Sequence, residues 1–184
     1  MRIIGGKWRS LNLKVPKFEP TRPTTNIAKE ALFNVLNNYF NFDNIRFLDL
    51  FAGTGQLTYE FASRGCTDIT SVEMHPKCIA FIEETVEKLE MEGVKVFPTD
   101  VFHFIENCQQ QFDVIFAGPP YPLPTLNTIP DKIFEHDLVE GKGWFILEHN
   151  PLHDFRNHPH FYKRKKYGQT IFSIFVNKPE TQDD

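Results

Sequence analysis

Three acidic residues and one proline-broken run have the types and spacing to do chemistry. Asp49 opens D-L-F-A-G-T-G, Glu73 and Met74 close V-E-M, and Asp100 and Val101 stand in T-D-V-F. Gly118, Pro119, Pro120 and Tyr121 end the run F-D-V-I-F-A-G-P-P-Y. Gly53 and Gly55 permit a tight turn and let backbone approach a ligand. A dinucleotide fingerprint needs a third glycine at position 58, where this chain has Thr58. A carboxylate at Asp49 repels a pyrophosphate. It accepts, directly or through water, from the amino group of an amino-acid-like ligand. That pattern points to S-adenosyl-L-methionine and away from NAD. A glycine turn with a structural aspartate is the plainer account of the loop alone. Glu73 is placed to accept both ribose hydroxyls, a grip suited to any nucleoside. Asp100 suits the exocyclic amine of adenine, with the Val101 N–H near a ring nitrogen. Helix capping by Asp100 is the plain alternative, and the two roles are compatible. Phe51 in the glycine loop and Met74 beside Glu73 complete the expected cofactor set on these strand ends.

The proline motif has its own logic. Pro119 and Pro120 have no backbone N–H, so neither sheet nor helix runs through them. A rigid turn fixes carbonyls in one direction with little entropy left to lose. Carbonyls facing a methyl donor accept N–H bonds from an amine, orient its lone pair and offset the charge that develops. Tyr121 offers a face on which a planar base stacks. Taken alone, an ordinary Pro-Pro turn explains the motif more simply.

Strands and helices must alternate to bring these residues together. Apolar residues at helical spacing from Ala28 to Tyr39 predict a helix capped by Thr25 or Asn26. Strands are expected at Arg46–Leu50, Asp68–Val72, Val94–Phe97, Phe112–Phe116 and Gly143–Glu148, with helices over 56–64, from Pro76 to about Glu92, over Phe102–Asn107 and over 126–139. A closing hairpin turns at Tyr167–Gly168. The pattern is a doubly wound, Rossmann-like α/β sheet, mostly parallel with a C-terminal antiparallel hairpin. Ligands of such sheets bind outside the carboxyl ends of the strands, where the chemistry-bearing residues fall. Residues 1–23 read as a short β-rich arm, and 24–184 as the main domain.

Charge is unevenly spread. The 184-residue chain is 41% hydrophobic with net charge −4, yet Arg2, Lys7, Arg9, Lys14 and Arg22 crowd the arm. Lys163, Arg164, Lys165 and Lys166 form a second basic run, while acids concentrate in 83–92. Basic patches on an acidic body fit a surface that meets phosphates, so these nine residues are the expected RNA contacts. Solvated charge is the bland reading. Trp8 is either a core anchor for the arm or a base-stacking ring. No apolar run reaches the ~18 residues of a membrane span. Three unpatterned cysteines favour a reducing cytoplasm. A cytoplasmic monomer without membrane contact is expected. His149, His153, His158 and His160 show no metal-site spacing and read as a solvated loop, so no metal is expected.

The proline motif resembles the D-P-P-Y or N-P-P-Y of class I methyltransferases that modify exocyclic amines. M-R-I-I-G-G-K-W-R-S, T-R-P-T-T-N-I-A-K-E-A-L-F-N and D-L-F-A-G-T-G are similar to the RsmD family, bacterial methyltransferases acting on N2 of a guanine in small-subunit ribosomal RNA. The resemblance runs from Met1 to Phe172 and is most specific at the start. It implies S-adenosyl-L-methionine as cofactor and ribosomal RNA or a partly assembled small subunit as partner. It also implies that the R-P-T-T segment, with Thr24 and Thr25, closes over the cofactor's methionine end. One position departs: the family's acidic or amide residue before the prolines is Gly118 here. That side chain is implied to accept a hydrogen bond from the target amine. Gly118 has only its carbonyl, with that of Pro119, and room for a water. A non-catalytic relative that binds cofactor and RNA is therefore the second reading. A methyltransferase for small molecules or proteins is the third, and it leaves the basic patches unexplained.

Overall fold

Seven strands join in one sheet, in the order β3-β2-β1-β4-β5-β7-β6. The computed structural model describes residues 1–17 and 24–177. The strands are β1 (Phe47–Leu50), β2 (Ile69–Glu73), β3 (Val94–Pro98), β4 (Phe112–Ala117), β5 (Val139–His149), β6 (Phe161–Tyr167) and β7 (Thr170–Phe175). The first five are parallel neighbours; β7 runs antiparallel to β5, and β6 antiparallel to β7. This is the doubly wound sheet with a C-terminal hairpin that the alternation predicts. Central β1 is buried along its whole length, as a parallel strand covered on both faces must be.

Helices α1 (Asn26–Leu36), α2 (Gln56–Ser63) and α3 (Pro76–Lys88) cover one face; α4 (Val101–Asn107) and α5 (Ile129–Glu135) cover the other. In α1, Ala28, Leu32, Phe33 and Leu36 form the buried stripe, and Thr25 Oγ1 caps the helix by accepting the Ala28 N–H at 3.2 Å. No helix among the described residues is long and apolar enough to cross a membrane.

Three helices differ from the sequence expectation; the one expected to about Glu92 ends at Lys88, with Glu90 at φ 50°. The first helix stops at Leu36, and Asn37 to Tyr39 follow as turns, with the Tyr39 N–H bonded to Leu36 O. The helix expected over 126–139 shrinks to a 3₁₀ turn plus α5. The reason is sheet pairing: the Phe112 N–H bonds Leu138 O at 2.8 Å, and Val139 already opposes Phe112, so β5 starts before Gly143. Over its described residues, 1–17, the arm pairs with itself: the Ile3 N–H bonds Leu11 O at 3.0 Å and the Leu13 N–H bonds Met1 O at 2.8 Å, around a bridge from Arg2 to Asn12, with Ser10 at φ 71°. It ends against α2 because Gly6, at φ +73°, brings its backbone onto Ser63; a Cβ there would lie 1.7 Å from Ser63 O. The Lys7 N–H reaches that carbonyl at 2.6 Å.

Candidate active site

The carboxyl ends of β1, β2 and β3 carry the three acids, and each is held differently. Asp49 is buried in β1. Its Oδ2 accepts the Thr58 N–H at 3.1 Å and the Thr58 hydroxyl at 2.7 Å. Thr58 Oγ1 is 2.6 Å from Ser71 Oγ; with its own proton on Asp49, Thr58 receives that of Ser71. The residue that breaks the dinucleotide fingerprint thus anchors Asp49. Burial pushes the Asp49 carboxyl up to about 7, against the Thr58 bonds. The Glu73 charge adds to the rise.

Glu73 is more engaged than a bidentate ribose grip requires. Oε2 accepts the Gly53 N–H at 2.7 Å, and Oε1 accepts the Met74 and His75 N–H groups at 2.9 Å each. A carboxylate offers about four acceptor directions, so about one remains for a ligand. Met74 beside it is 68% exposed, an apolar side chain at the mouth of the strand ends. Asp100 takes the capping role: Oδ1 accepts the Phe102 and His103 N–H groups at 2.9 and 3.1 Å. Its Oδ2 takes no bond from the described residues, so capping and ligand contact remain compatible there. Val101 is buried as the first residue of α4. Between Asp49 and Glu73 the loop passes through left-handed backbone at Phe51 (φ 58°) and Gly53 (φ 56°). Phe51 packs toward Phe102, with ring centroids 6.5 Å apart. A Cβ built on Gly53 meets only Phe51 O, at 4.0 Å, so the space beside it at the strand ends is open.

The proline motif leaves β4 after the Gly118 N–H bonds Leu50 O at 3.3 Å. Pro119 is buried and Pro120 exposed, and the Leu123 N–H closes a turn on Pro120 O at 3.0 Å. The Tyr121 hydroxyl donates to Glu148 Oε1 at 3.0 Å. Glu148, buried near the end of β5, also accepts the Thr24 hydroxyl on Oε2 at 2.5 Å. The Gln56 amide donates to Thr24 O at 2.8 Å. One carboxylate thus ties the segment before α1 to the motif after β4. Sequence alone gives Glu148 no role, although its place at a strand's carboxyl end is the signal that marks Asp49 and Glu73. Gly118 lacks positive φ, and a Cβ there would lie 3.1 Å from Phe116 Cε1. That ring borders the space beside Gly118 where a water is expected.

The basic residues sit on two platforms. The arm is fixed by Glu60, a fully buried residue of α2. Glu60 accepts the Ile4 and Gly5 N–H groups at 3.0 and 2.9 Å, pairs with Lys29 at 3.5 Å and with Arg64 at 3.0 Å. The Lys29 ammonium also donates to Arg2 O at 2.6 Å, and its burial lowers its pKa while Glu60 raises it. Arg2, Lys7, Arg9 and Lys14 stay exposed on this anchored loop. Trp8 packs half-buried in the cluster of Ile3, Tyr59 and Ile82, as a core anchor does. Arg22 lies outside the described residues. Lys163 to Lys166 lie on β6, the sheet edge, with Arg164, Lys165 and Lys166 exposed. His149 corrects the solvated-loop reading: it is buried, its Nε2 2.8 Å from Ser173 Oγ, and burial lowers its pKa. Among the described residues, no cluster of His, Cys, Asp or Glu has the grouping to hold a metal.

These features match a known family. The model of conserved hypothetical protein 95 matches residues 1–176. Ribosomal RNA small subunit methyltransferase D of Escherichia coli K12 is 27% identical over 194 residues, 100% of this chain and 93% of that protein. The chain belongs to the RsmD family. The putative rRNA methyltransferase YlbH of Bacillus subtilis is 34% identical over 154 residues, 82% of this chain and 83% of that protein. The solved structure of hypothetical protein TTHA0928 from Thermus thermophilus superposes with a TM-score of 0.85 at 30% identity, covering 96% of this chain and 99% of that one. The RsmD-type chain here thus has the class I methyltransferase fold.

Proposed function

We propose that this RsmD-family chain transfers a methyl group from S-adenosyl-L-methionine to the exocyclic N2 of a guanine in small-subunit ribosomal RNA. The observation that carries the reading is one juxtaposition. Three strand-end carboxylates flank an open glycine loop, and on the far side of β1 a rigid Gly-Pro-Pro-Tyr turn is pinned by Glu148.

The residues present fit the cofactor. The open side of Gly53 leaves backbone room at the strand ends. Asp49 would hold the cofactor's ammonium, Glu73 a ribose hydroxyl and Asp100 Oδ2 the adenine amine, with Met74 and Val101 against the ring. Thr24 and Thr25, tied down by Gln56, Glu148 and the start of α1, sit where the segment before the first helix meets the motif. When bound, S-adenosyl-L-methionine supplies a methyl on a sulfonium, an electrophile that requires no metal and no covalent enzyme intermediate. The chain's part is orientation. Carbonyls of Gly118 and Pro119 accept N–H bonds from the guanine amine and aim its lone pair. They also favour the charge that builds on nitrogen. The proton leaves to water. The guanine must quit its stack to enter, and the pinned ring of Tyr121 gives it a surface to rest on. The exposed cations of the arm and of β6 supply the phosphate contacts that a ribosomal RNA partner requires.

One transfer assay tests the reading. Labelled S-adenosyl-L-methionine is supplied with naked rRNA, and separately with partly assembled small subunits from a strain lacking the enzyme. The expected result is label on N2 of one guanine in at least one substrate. Label on neither, or on another atom, overturns it.

A further inference from the structure

We infer that the β6 edge is a track for single-stranded RNA flanking the target guanine, ending on a base-stacking platform built by Tyr39 and Tyr162. The inference rests on the rRNA reading above. Tyr39, just past the end of α1, is 55% exposed, and Tyr162 on β6 is 40% exposed. Both rings lean on buried Trp144: Tyr39 at 4.5 Å between centroids, Tyr162 at 6.1 Å. The Lys163 ammonium sits among all three, 4.7 Å from Tyr39, 4.8 Å from Trp144 and 4.9 Å from Tyr162. It also donates to the Tyr39 hydroxyl at 3.4 Å. The two tyrosines are thus held from below by a cation and an indole, while a large part of each stays open to solvent.

The platform is continuous with the site. Because β7 is antiparallel to both neighbours, β6 runs parallel to β5, and both end on the side of the cofactor loops. Lys165 opposes Phe172, which opposes Glu148; Lys166 opposes Ile171, which opposes His149. Two strand spacings put Lys165 about 10 Å from Glu148, and three residues of strand put Tyr162 about 10 Å further down the edge. By alternation Glu148, Phe172, Lys165, Lys163 and Trp144 share one face and Lys166 the other, so a path from Tyr121 outward along that face meets Lys165 and then the rings. Lysines on an edge strand are explained by blocking strand addition. Exposed rings beside them are not, since they add apolar surface at the edge that the lysines protect. Cations that follow a backbone, followed by rings on which bases stack, are the recognition chemistry of single-stranded nucleic acid. A duplex keeps its base faces covered and offers the rings nothing.

The test measures affinity for an oligoribonucleotide of about a dozen nucleotides, and for the same sequence as duplex, across a salt series. Tyr39→Ala and Tyr162→Ala should each weaken single-strand binding about 5- to 100-fold. The slope of log affinity against log salt should stay unchanged, because no charge is lost. Tyr39→Phe and Tyr162→Phe should restore binding. Lys165→Ala should instead flatten the slope by roughly 0.7. If an alanine variant melts early, Tyr39→Leu and Tyr162→Leu keep apolar volume without the ring and give the same readout. Single-strand affinity within twofold of the unsubstituted chain in the ring-deleted variants overturns the platform. If that unsubstituted chain still methylates rRNA, the proposed function stands without it. A chain that binds no single strand and labels neither rRNA substrate overturns both.

Discussion

Asp49 and Glu60 are both buried carboxylates, one facing the start of α2 and the other within it, and their partners are of opposite kinds. Glu60 takes two backbone N–H groups from the arm and lies against two cations, Lys29 and Arg64. Asp49 has only neutral donors, the N–H and hydroxyl of Thr58, and no ion pair among the described residues. Burial of a carboxylate is costly unless it is both paired and hydrogen-bonded. Glu60 meets both conditions from within the chain, so it is a fixture. Asp49 meets one. Burial without a counter-charge raises its pKa to about 7, and that leaves it able to take a cation from outside. Charge balance thus separates a buried acid that builds the fold from one proposed to bind a ligand.

The largest expected effect follows at Glu60. Glu60→Ala leaves Lys29 buried without its counter-charge and two arm N–H groups unpaired, which should cost about 3–5 kcal/mol. Urea denaturation should show the loss, and limited proteolysis should cut the arm first. A variant as stable as the unsubstituted chain would remove the distinction between the two acids.

Asp49 should behave in the opposite way. Its folded pKa lies above its unfolded value, so between about pH 4 and about pH 7 the folded state binds the extra proton. Stability should therefore fall as pH rises across that window, by up to ~4 kcal/mol, and level off above it. Asp49→Asn should flatten that slope. Cofactor affinity should move the other way, rising in the unsubstituted chain as pH passes about 7 and Asp49 ionises to meet the ammonium. Calorimetry at pH 6 and pH 8 checks it; equal affinities would mean that Asp49 does not touch that group.

The same contrast explains what a reader of the sequence can and cannot see. Asp49, Glu73 and Asp100 were legible because each follows a short apolar run and precedes a break or a helix start, the places where open sheets bind ligands. The parallel core was legible for a related reason, since strands buried on both faces stand out as apolar runs. Glu60 and Lys29 were hidden inside amphipathic helices, where a charge reads as solvent-facing until the arm is seen to cover it. The arm itself reads as strand by alternation, but its donors go partly back into the arm, from Ile3 and Leu13, and partly to Ser63 and Glu60, instead of to a strand of the sheet. Glu148 was hidden because Thr24 and Tyr121, which donate to it, are 124 and 27 residues away.

Glu148 tests an intermediate case. It is buried like Glu60, yet the donors described at it come from two segments that line the site. Glu148→Gln keeps one acceptor oxygen but presents an amide to a hydroxyl, so one of the two ties is weakened. Such a change should lower single-turnover methyl transfer about 10- to 100-fold, in the range of a lost charged hydrogen bond of roughly 1.5–3 kcal/mol. Stability should fall by less than in Glu60→Ala. Loss of stability equal to that of Glu60→Ala, with transfer unaffected, would place Glu148 with the fixtures.

The smallest effect concerns the acid that is missing. At Gly118 the family pattern has a side-chain acceptor for the amine, and here only carbonyls remain. A preorganised acceptor is worth ~10²–10³ in rate where one has been deleted from oxyanion-type sites. In the proposed reaction the substrate is the donor, so a gain of about tenfold is expected from Gly118→Asp in single-turnover transfer, with cofactor affinity within a few-fold. Backbone conformation does not oppose the change, because Gly118 is outside the left-handed region. Packing does: the new Cβ would stand 3.1 Å from Phe116 Cε1, and Phe116 is buried. The ring must yield by a few tenths of an ångström, an overpacking that costs ~1–3 kcal/mol where it cannot. Gly118→Asp with Phe116→Leu removes that obstacle, so the pair separates acceptor from fit. If the single variant is slow and the double variant gains tenfold, packing had masked the acceptor. If both fold, bind cofactor and transfer no faster than the unsubstituted chain, the carbonyls of Gly118 and Pro119 suffice, and a third kind of acid is not needed at this site.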